Sequence, residues 1–279
     1  MGSMSCGVRA GRLGQIVLSL SLSLVGAQLA HGETVLITGS NSGLGLEFTK
    51  QYAELGWTVI ATHRRASTPE TLAAVIAEHD NVRVERMDVT DPDGIATLAA
   101  KLRDVPIDLL LNNAGVYNDR GACAQDDCPG DWSTQDFGQL RYGLFDTIMA
   151  VNVRGPLMVS EAFVEHVAAS DRKQMVSISS TNGSLTEPLG GAGAIFYRSS
   201  KAALNRAMQL VALALEDRGI TVLMLHPGAV VTERQAYLAD FPGMIDMTTS
   251  VTGMIATLDS VTFEDRGRFI QYDGSTAPW

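Results

Sequence analysis

The chain has 279 residues, with 21 Lys and Arg against 31 Asp and Glu, for a formal charge of −10. Apolar residues make up 46% and charged ones 19%, which excludes a disordered polyelectrolyte and leaves ample chain for a large core. The acidic balance argues against nucleic acid as a partner, because a phosphate backbone needs a basic stripe. Three cysteines with no CxxC pair exclude a disulfide scaffold, and no metal site is expected.

Residues 1–32 carry Arg9, Arg12 and no acid, so the other 247 residues hold −12. Ile16 to Ala30 is an apolar run, short of the roughly 20 residues that span a bilayer, so no integral membrane span is expected. With the basic residues before it and the small Ala30 and Gly32 after it, the segment reads as a secretory signal peptide. An extension from a misplaced start, or a disordered leader, is an equal reading. Either way, 1–32 is set apart as a leader and 33–279 is taken as the folded domain.

From Glu33 onward, β-branched runs alternate with helical patterns. Strands are expected at 34–38, 58–62, 82–86, 107–112, 175–179, 221–226 and, shorter, 268–271. A helix is expected over about 43–55, with Gly56 beyond its end. Two more open at Thr68-Pro69-Glu70 and Asp91-Pro92, each with a capping residue and a first-turn proline. Longer helices follow around 138–169 and about 197–218. Strands apolar on both faces and separated by helices predict one doubly wound Rossmann-type α/β domain with a mostly or wholly parallel sheet.

The first strand runs into Thr38-Gly39-Ser40-Asn41-Ser42-Gly43-Leu44-Gly45 and then a helix. Glycines at 39, 43 and 45 let the backbone turn sharply and approach a pyrophosphate at the positive helix N-terminus. The second strand ends His63-Arg64-Arg65, with two arginines where an acid would select NAD. A planar guanidinium suits a 2′-phosphate, so the cofactor expected is NADP, held there by Arg64, with NAD the lesser alternative and a merely solvated arginine pair the bland one.

The GxxxGxG spacing resembles the short-chain dehydrogenase/reductase superfamily, and further motifs occur in the family's order. They are Asn112-Asn113-Ala114-Gly115, Asn152, Ser180, Tyr197-Arg198-Ser199-Ser200-Lys201 and Pro227-Gly228. A lone YxxxK pair arises readily by chance; an ordered set on the correct elements does not. YRSSKAALN (197–205), HPGAVVTE (226–233) and the closing FIQYDGSTAPW look like the branch of C-factor and Sniffer-type carbonyl reductases.

This resemblance implies an oxidoreductase acting on a small-molecule carbonyl or secondary alcohol. It assigns Tyr197 as general acid/base, Lys201 as its electrostatic partner, Ser180 as donor to the substrate oxygen and Asn152 as the helix-kinking member of a proton relay. Lys201, one turn after Tyr197 on the same helix face, is expected to pull the phenol toward neutral pH. Ser179 competes with Ser180 for the donor role, and Ser180 is preferred by the family pattern. The resemblance also assigns Gly39, Asn41, Ser42, Gly43, Leu44, Gly45, Asp88, Val89, Asn112, Ala114, Gly115, Tyr197, Lys201, Pro227, Gly228, Val230 and Thr232 to the cofactor, and Pro156 supports a helix break at Asn152.

The departures are two insertions, 116–138 and 186–194, which leave the substrate pocket beyond the family pattern. Apolar residues after Thr232 (Ala236, Tyr237, Leu238, Phe241, Met244, Ile245, Met247) line the pocket, pack a lid or fill the core. Cys123 and Cys128 form a disulfide if the chain is exported and stay free thiols if it is not. An NADPH pool favours the cytoplasm, with export through 1–32 the alternative. A homo-oligomer through the helices beginning near 138 and 197 is an open possibility. The competing function is a nucleotide-binding sensor with little turnover, which has no use for a proton relay.

Overall fold

A computed structural model describes residues 1–4, 7, 32–118, 131–187, 191–232, 239–240 and 242–279. The chain divides into two units, Met1–His31 and Gly32–Trp279. Most of the leader and all three cysteines lie outside the described residues.

The elements of the second unit run β1 (Thr34–Ile37), α1 (Gly43–Glu54), β2 (Thr58–His63), α2 (Glu70–Glu78), β3 (Val82–Arg86), α3 (Pro92–Lys101) and β4 (Leu109–Asn112). The second half holds α4 (Tyr142–Met149), α5 (Gly155–Ala168), β5 (Gln174–Ile178), α6 (Ile195–Ala214), β6 (Thr221–His226), β7 (Val230–Val231), β8 (Ile245–Asp246), α7 (Met247–Ser260) and β9 (Phe269–Gln271). Seven strands pair in the order β3-β2-β1-β4-β5-β6-β9, and every pairing is parallel. This is the doubly wound Rossmann-type α/β sheet expected. The strands β7 and β8 form a separate small ribbon.

The period of two along each strand divides the core. Leu36, Ile60, Leu110, Met175 and Val222 point to one face, where they meet Ile95 and Leu98 of α3, Phe163 of α5 and Met208 of α6. Their neighbours Val35, Ile37, Val59, Leu109, Leu111, Val176 and Leu223 point to the other, against Phe48 and Tyr52 of α1, Leu72 of α2 and Met254 of α7. Both faces are covered, which is why these strands read as continuous apolar runs rather than alternating ones.

Several boundaries differ from the expectation, each for a local reason. Asp91 caps α3 by accepting from the Asp93 amide with Pro92 in the first turn, as expected. In α2, however, Pro69 is itself the cap position and no side chain caps the helix. The single helix expected around 138–169 is α4 and α5 joined by a π-helical segment, Ala150–Arg154. The helix α7 replaces part of the pocket-or-lid reading. Asp246 caps it by accepting from the Thr249 amide at 2.7 Å, and Val251, Met254 and Leu258 bury its inner face. Met244, Ile245 and Met247 are half-buried around its start, whereas Ala236, Tyr237, Leu238 and Phe241 lie outside the described residues. Among the described residues no helix is long and apolar enough to cross a membrane.

Candidate active site

In a parallel sheet every strand delivers its following loop to the same edge, and a crevice opens where the connections diverge to opposite faces. Here that point lies between β1 and β4, whose neighbours fan out to either side. Most of the expected site residues lie at or after the carboxyl ends of strands or on the helices that follow them, and Asn152 lies between α4 and α5.

The loop after β1 is shaped by contacts only glycine permits. Gly39 has φ +71° and Gly43 has φ +57°. A Cβ at Gly45 would stand 2.3 Å from the Gly39 carbonyl oxygen and 2.4 Å from Asn113 Nδ2. Asn113 donates to the carbonyl oxygens of Thr38 at 2.8 Å and Gly39 at 3.3 Å, while Thr38 Oγ1 accepts from the Asn113 and Ala114 amides at 2.9 Å each. The two loops flanking the crevice are thus laced together. Ser42 stands at the N-cap of α1 without a side-chain capping bond, so the first-turn amides of Gly43, Leu44 and Gly45 carry the positive helix end. Asn41 is fixed through its carbonyl, which accepts from Thr71 Oγ1 at 2.8 Å.

The other expected cofactor residues line the same edge. Arg64 is exposed just after β2, beside a buried His63 that burial and the charges of Arg65 and Arg86 push below its ordinary range. Asp88 Oδ1 accepts from the Thr90 amide and hydroxyl at 2.9 and 2.7 Å. Val89 packs so tightly on Gly155 that a Cβ there would meet it at 3.1 Å. Asn112 is buried, donates to Ser160 Oγ at 3.1 Å and keeps an unpaired Oδ1. Gly115 lies beside Asn152 Oδ1. After β6, Pro227 accepts from Ser250 Oγ at 2.6 Å, and Gly228 (φ +86°) lets Tyr272 approach closely. Val230 is buried in β7 and Thr232 is half-buried after it.

Asn152, Ser180, Tyr197 and Lys201 gather at the other side of the crevice. Asn152 sits in the π-helical segment, fully buried. Such bulges arise where the helical ladder is interrupted, and Pro156 two residues beyond the segment cannot donate its amide. Its side chain makes a two-point contact with Val116, accepting from the amide at 2.9 Å and donating to the carbonyl at 2.7 Å. It also donates to Ser200 Oγ at 3.0 Å, which in turn donates to the Tyr197 carbonyl at 2.7 Å.

The two serines separate cleanly. Ser179 is buried and donates to Asn205 Oδ1, whereas Ser180 Oγ accepts from the Asn182 amide at 3.2 Å and acts on the Tyr197 phenol, pulling its pKa down. Lys201 is buried and donates to the Ile178 carbonyl at 2.8 Å, with Nζ 5.8 Å from the centre of the Tyr197 ring. Gly183 allows this approach of the turn after β5 to α6, since a Cβ there would sit 2.6 Å from the Lys201 carbonyl carbon.

The electrostatics depart from the sequence expectation. Burial pushes the Tyr197 phenol up, the Ser180 side chain pulls it back and the Tyr117 hydroxyl raises it further. Lys201 does not draw it toward neutral pH, because burial acts on the lysine as well and lowers it to about 8. The phenol is therefore a proton reservoir across neutral pH, and the lysine is the group that titrates there.

Sequence reasoning missed the residues that frame Tyr197. Trp132 and Tyr117 stack with centroids 5.3 Å apart, and both stand edge-on to the Tyr197 ring, at 6.5 and 6.4 Å. Both come from the segment 116–138, of which 119–130 lie outside the described residues. Of the second insertion, Thr186 donates its amide to the Trp279 carbonyl at 2.7 Å, and 188–190 lie outside the described residues. Among the described residues no cluster of His, Cys, Asp and Glu is placed to hold a metal.

Known proteins resemble the chain in sequence and in fold. The chain is 33% identical over 174 residues to the C-signal of Myxococcus xanthus, covering 62% of this chain and 93% of that protein. An NADPH-bound carbonyl reductase from chicken fatty liver superposes with a TM-score of 0.78 at 28% identity, over 89% of this chain and all of that one. The carbonyl reductase Sniffer of D. melanogaster gives 0.76 at 26% identity with the same coverage. The family model of the short chain dehydrogenases matches residues 33–242, from β1 through the segment after β7, and the chain belongs to that family.

Proposed function

We propose that this protein is an NADP-dependent oxidoreductase that reduces a small-molecule carbonyl to an alcohol, with 33–279 as its catalytic unit. The observation that carries the reading is Tyr197 on α6 with buried Lys201 Nζ 5.8 Å from its ring, beside the glycine cradle. The cradle fits a dinucleotide: glycines at 39, 43 and 45 leave room for a pyrophosphate at the α1 N-terminus, and the unpaired Asn112 Oδ1 lies at the switch point. Gly39, Asn41, Ser42, Gly43, Leu44 and Gly45 would hold the phosphates, Arg64 the 2′-phosphate, Asp88 and Val89 the adenine. Asn112, Ala114, Gly115, Pro227, Gly228, Val230 and Thr232 would hold the nicotinamide half. When bound, the nicotinamide supplies a hydride.

The chain's own residues supply the rest. Ser180 donates to the substrate oxygen and stabilises the charge that grows on it. Tyr197, protonated because burial holds its phenol high, gives its proton to that oxygen. Lys201, protonated below about pH 8, offsets the phenolate left behind, and Asn152 would join it in the proton relay that the family resemblance implies. A high phenol favours donation, so the reading is of a reductase first.

The test is consumption of NADPH and NADH across a panel of aldehydes, ketones and quinones. Turnover that prefers NADPH is expected. Tight NADPH binding without turnover on any member would favour the nucleotide sensor instead. A cytoplasmic site goes with the NADPH pool, and mass spectrometry of the natural N-terminus checks it: a chain starting near Glu33 would point to export.

A further inference from the structure

We propose that Gln135 is a positioning residue for Tyr197, capping the catalytic helix from outside it. The first amides of a helix have no partner within it, and the Tyr197 N–H is one of them, in the first turn of α6. The N-cap residue, Ala194, has φ +58° and no side chain that can accept a hydrogen bond. Gln135 takes its place: Oε1 accepts from the Tyr197 amide at 2.9 Å, and Nε2 donates to the Tyr117 carbonyl at 2.6 Å. Its side chain is fully buried, so neither bond has water as a substitute, and losing one leaves a buried polar group unpaired.

The glutamine is itself held in place. Asp131 Oδ1 accepts from the Ser133 amide and hydroxyl at 3.0 and 2.7 Å, which sets a one-turn 3₁₀ helix over Ser133–Gln135. The Arg141 amide closes the segment onto the Thr134 carbonyl at 3.0 Å. With Ser200 donating to the Tyr197 carbonyl, both backbone polar groups of the catalytic tyrosine are bonded to side chains. Gln135 also joins the two aromatic neighbours of the phenol. Its amide donates to the Trp132 carbonyl at 3.1 Å, and its side chain grips the backbone of Tyr117. One side chain thereby sets where the phenol stands relative to Ser180 and Lys201.

The inference rests on the reading of Tyr197 as proton donor, so two readouts are taken. They are NADPH-dependent carbonyl reduction and the ultraviolet titration of the phenol that Tyr197→Phe removes. Gln135→Leu keeps the shape and deletes both bonds. It is expected to lower kcat roughly 10- to 100-fold, the scale of a small misplacement of a reacting group, with the NADPH dissociation constant within about twofold of wild type. It is expected to shift the Tyr197 titration, and to add no further loss in a Tyr197→Phe background.

Gln135→Glu gives a sharper signature. A neutral carboxyl reproduces both bonds, accepting through its carbonyl and donating through its hydroxyl, whereas the ionised form cannot donate. Reduction by this variant is expected to match wild type at low pH and to fall as the carboxyl ionises, a limb absent from wild type. This limb decides the matter if the leucine variant does not fold. Unchanged kcat and phenol titration in Gln135→Leu, a loss that appears only in NADPH affinity, or a loss equally large in the Phe background would each overturn the proposal. If wild type turns over nothing, the functional reading fails, and a shifted or unshifted phenol titration still supports or overturns the role of Gln135.

Discussion

The two halves of the crevice are built differently. The loops after β1 to β4 make a site from backbone: positive-φ glycines, a helix N-terminus and an Asn113–Thr38 clasp between neighbouring loops. The side that holds Ser180, Tyr197 and Lys201 is made from side chains drawn out of the turn after β5, the π-helical segment, α6 and the insertion before α4. A backbone site tolerates no added bulk but is indifferent to most side chains. A side-chain site depends on each group being held at its own atom. Substitutions should therefore fail in different ways on the two sides: in binding on the first, in turnover on the second.

The most severe break is expected at Gly45. Its replacement by Val puts a Cβ inside the Gly39 carbonyl and the Asn113 amide, so NADPH binding is expected to be lost, as calorimetry would show. Next come the paired serines. Ser180→Ala should lower kcat roughly 100- to 1000-fold, as for loss of one donor to a developing oxyanion. Ser179→Ala, which removes only the bond to Asn205, should cost stability by about 1 kcal/mol and leave kcat within a few fold. Equal kcat losses would blur the difference between the two sides of the crevice.

Arg64→Ala is expected to raise the KM for NADPH roughly 10- to 100-fold, the scale of one charge-assisted hydrogen bond, and to leave the KM for NADH unchanged. Equal effects on both cofactors would take Arg64 out of the site. The smallest effect is that of pH. Lys201 is protonated below about 8 and neutral above it, so kcat/KM for reduction should be flat below that value. It should then fall about tenfold for each pH unit above it. A profile flat to pH 10 would mean that the lysine charge is not needed.

The same division explains what the sequence disclosed. The sheet was legible because its central strands are buried on both faces, and the cradle because its glycines lie within one short loop and its geometry is local. Ser180, Tyr197 and Lys201 were legible because a short turn and a single helical repeat carry them. Gln135 and Trp132 were not, since they act across 62 and 65 positions in chain number on Tyr197, and nothing local distinguishes a buried capping glutamine from a loop residue. The helix α7 escaped notice because its apolar residues merge with the run after Thr232. The high phenol was missed for a different reason: spacing places Lys201 beside Tyr197 but carries no information about how deeply both are buried.

If Tyr197 gives the proton, its loss slows reduction without weakening the hold on the cofactor, and one comparison tests this directly. NADPH-dependent reduction of a carbonyl that wild type accepts is measured beside Tyr197→Phe, with NADPH affinity determined for both. Affinity is expected to be unchanged and kcat reduced roughly 100- to 10,000-fold, the contribution of a positioned general acid. A phenylalanine variant that binds NADPH and reduces the substrate at the wild-type rate would contradict that role for Tyr197.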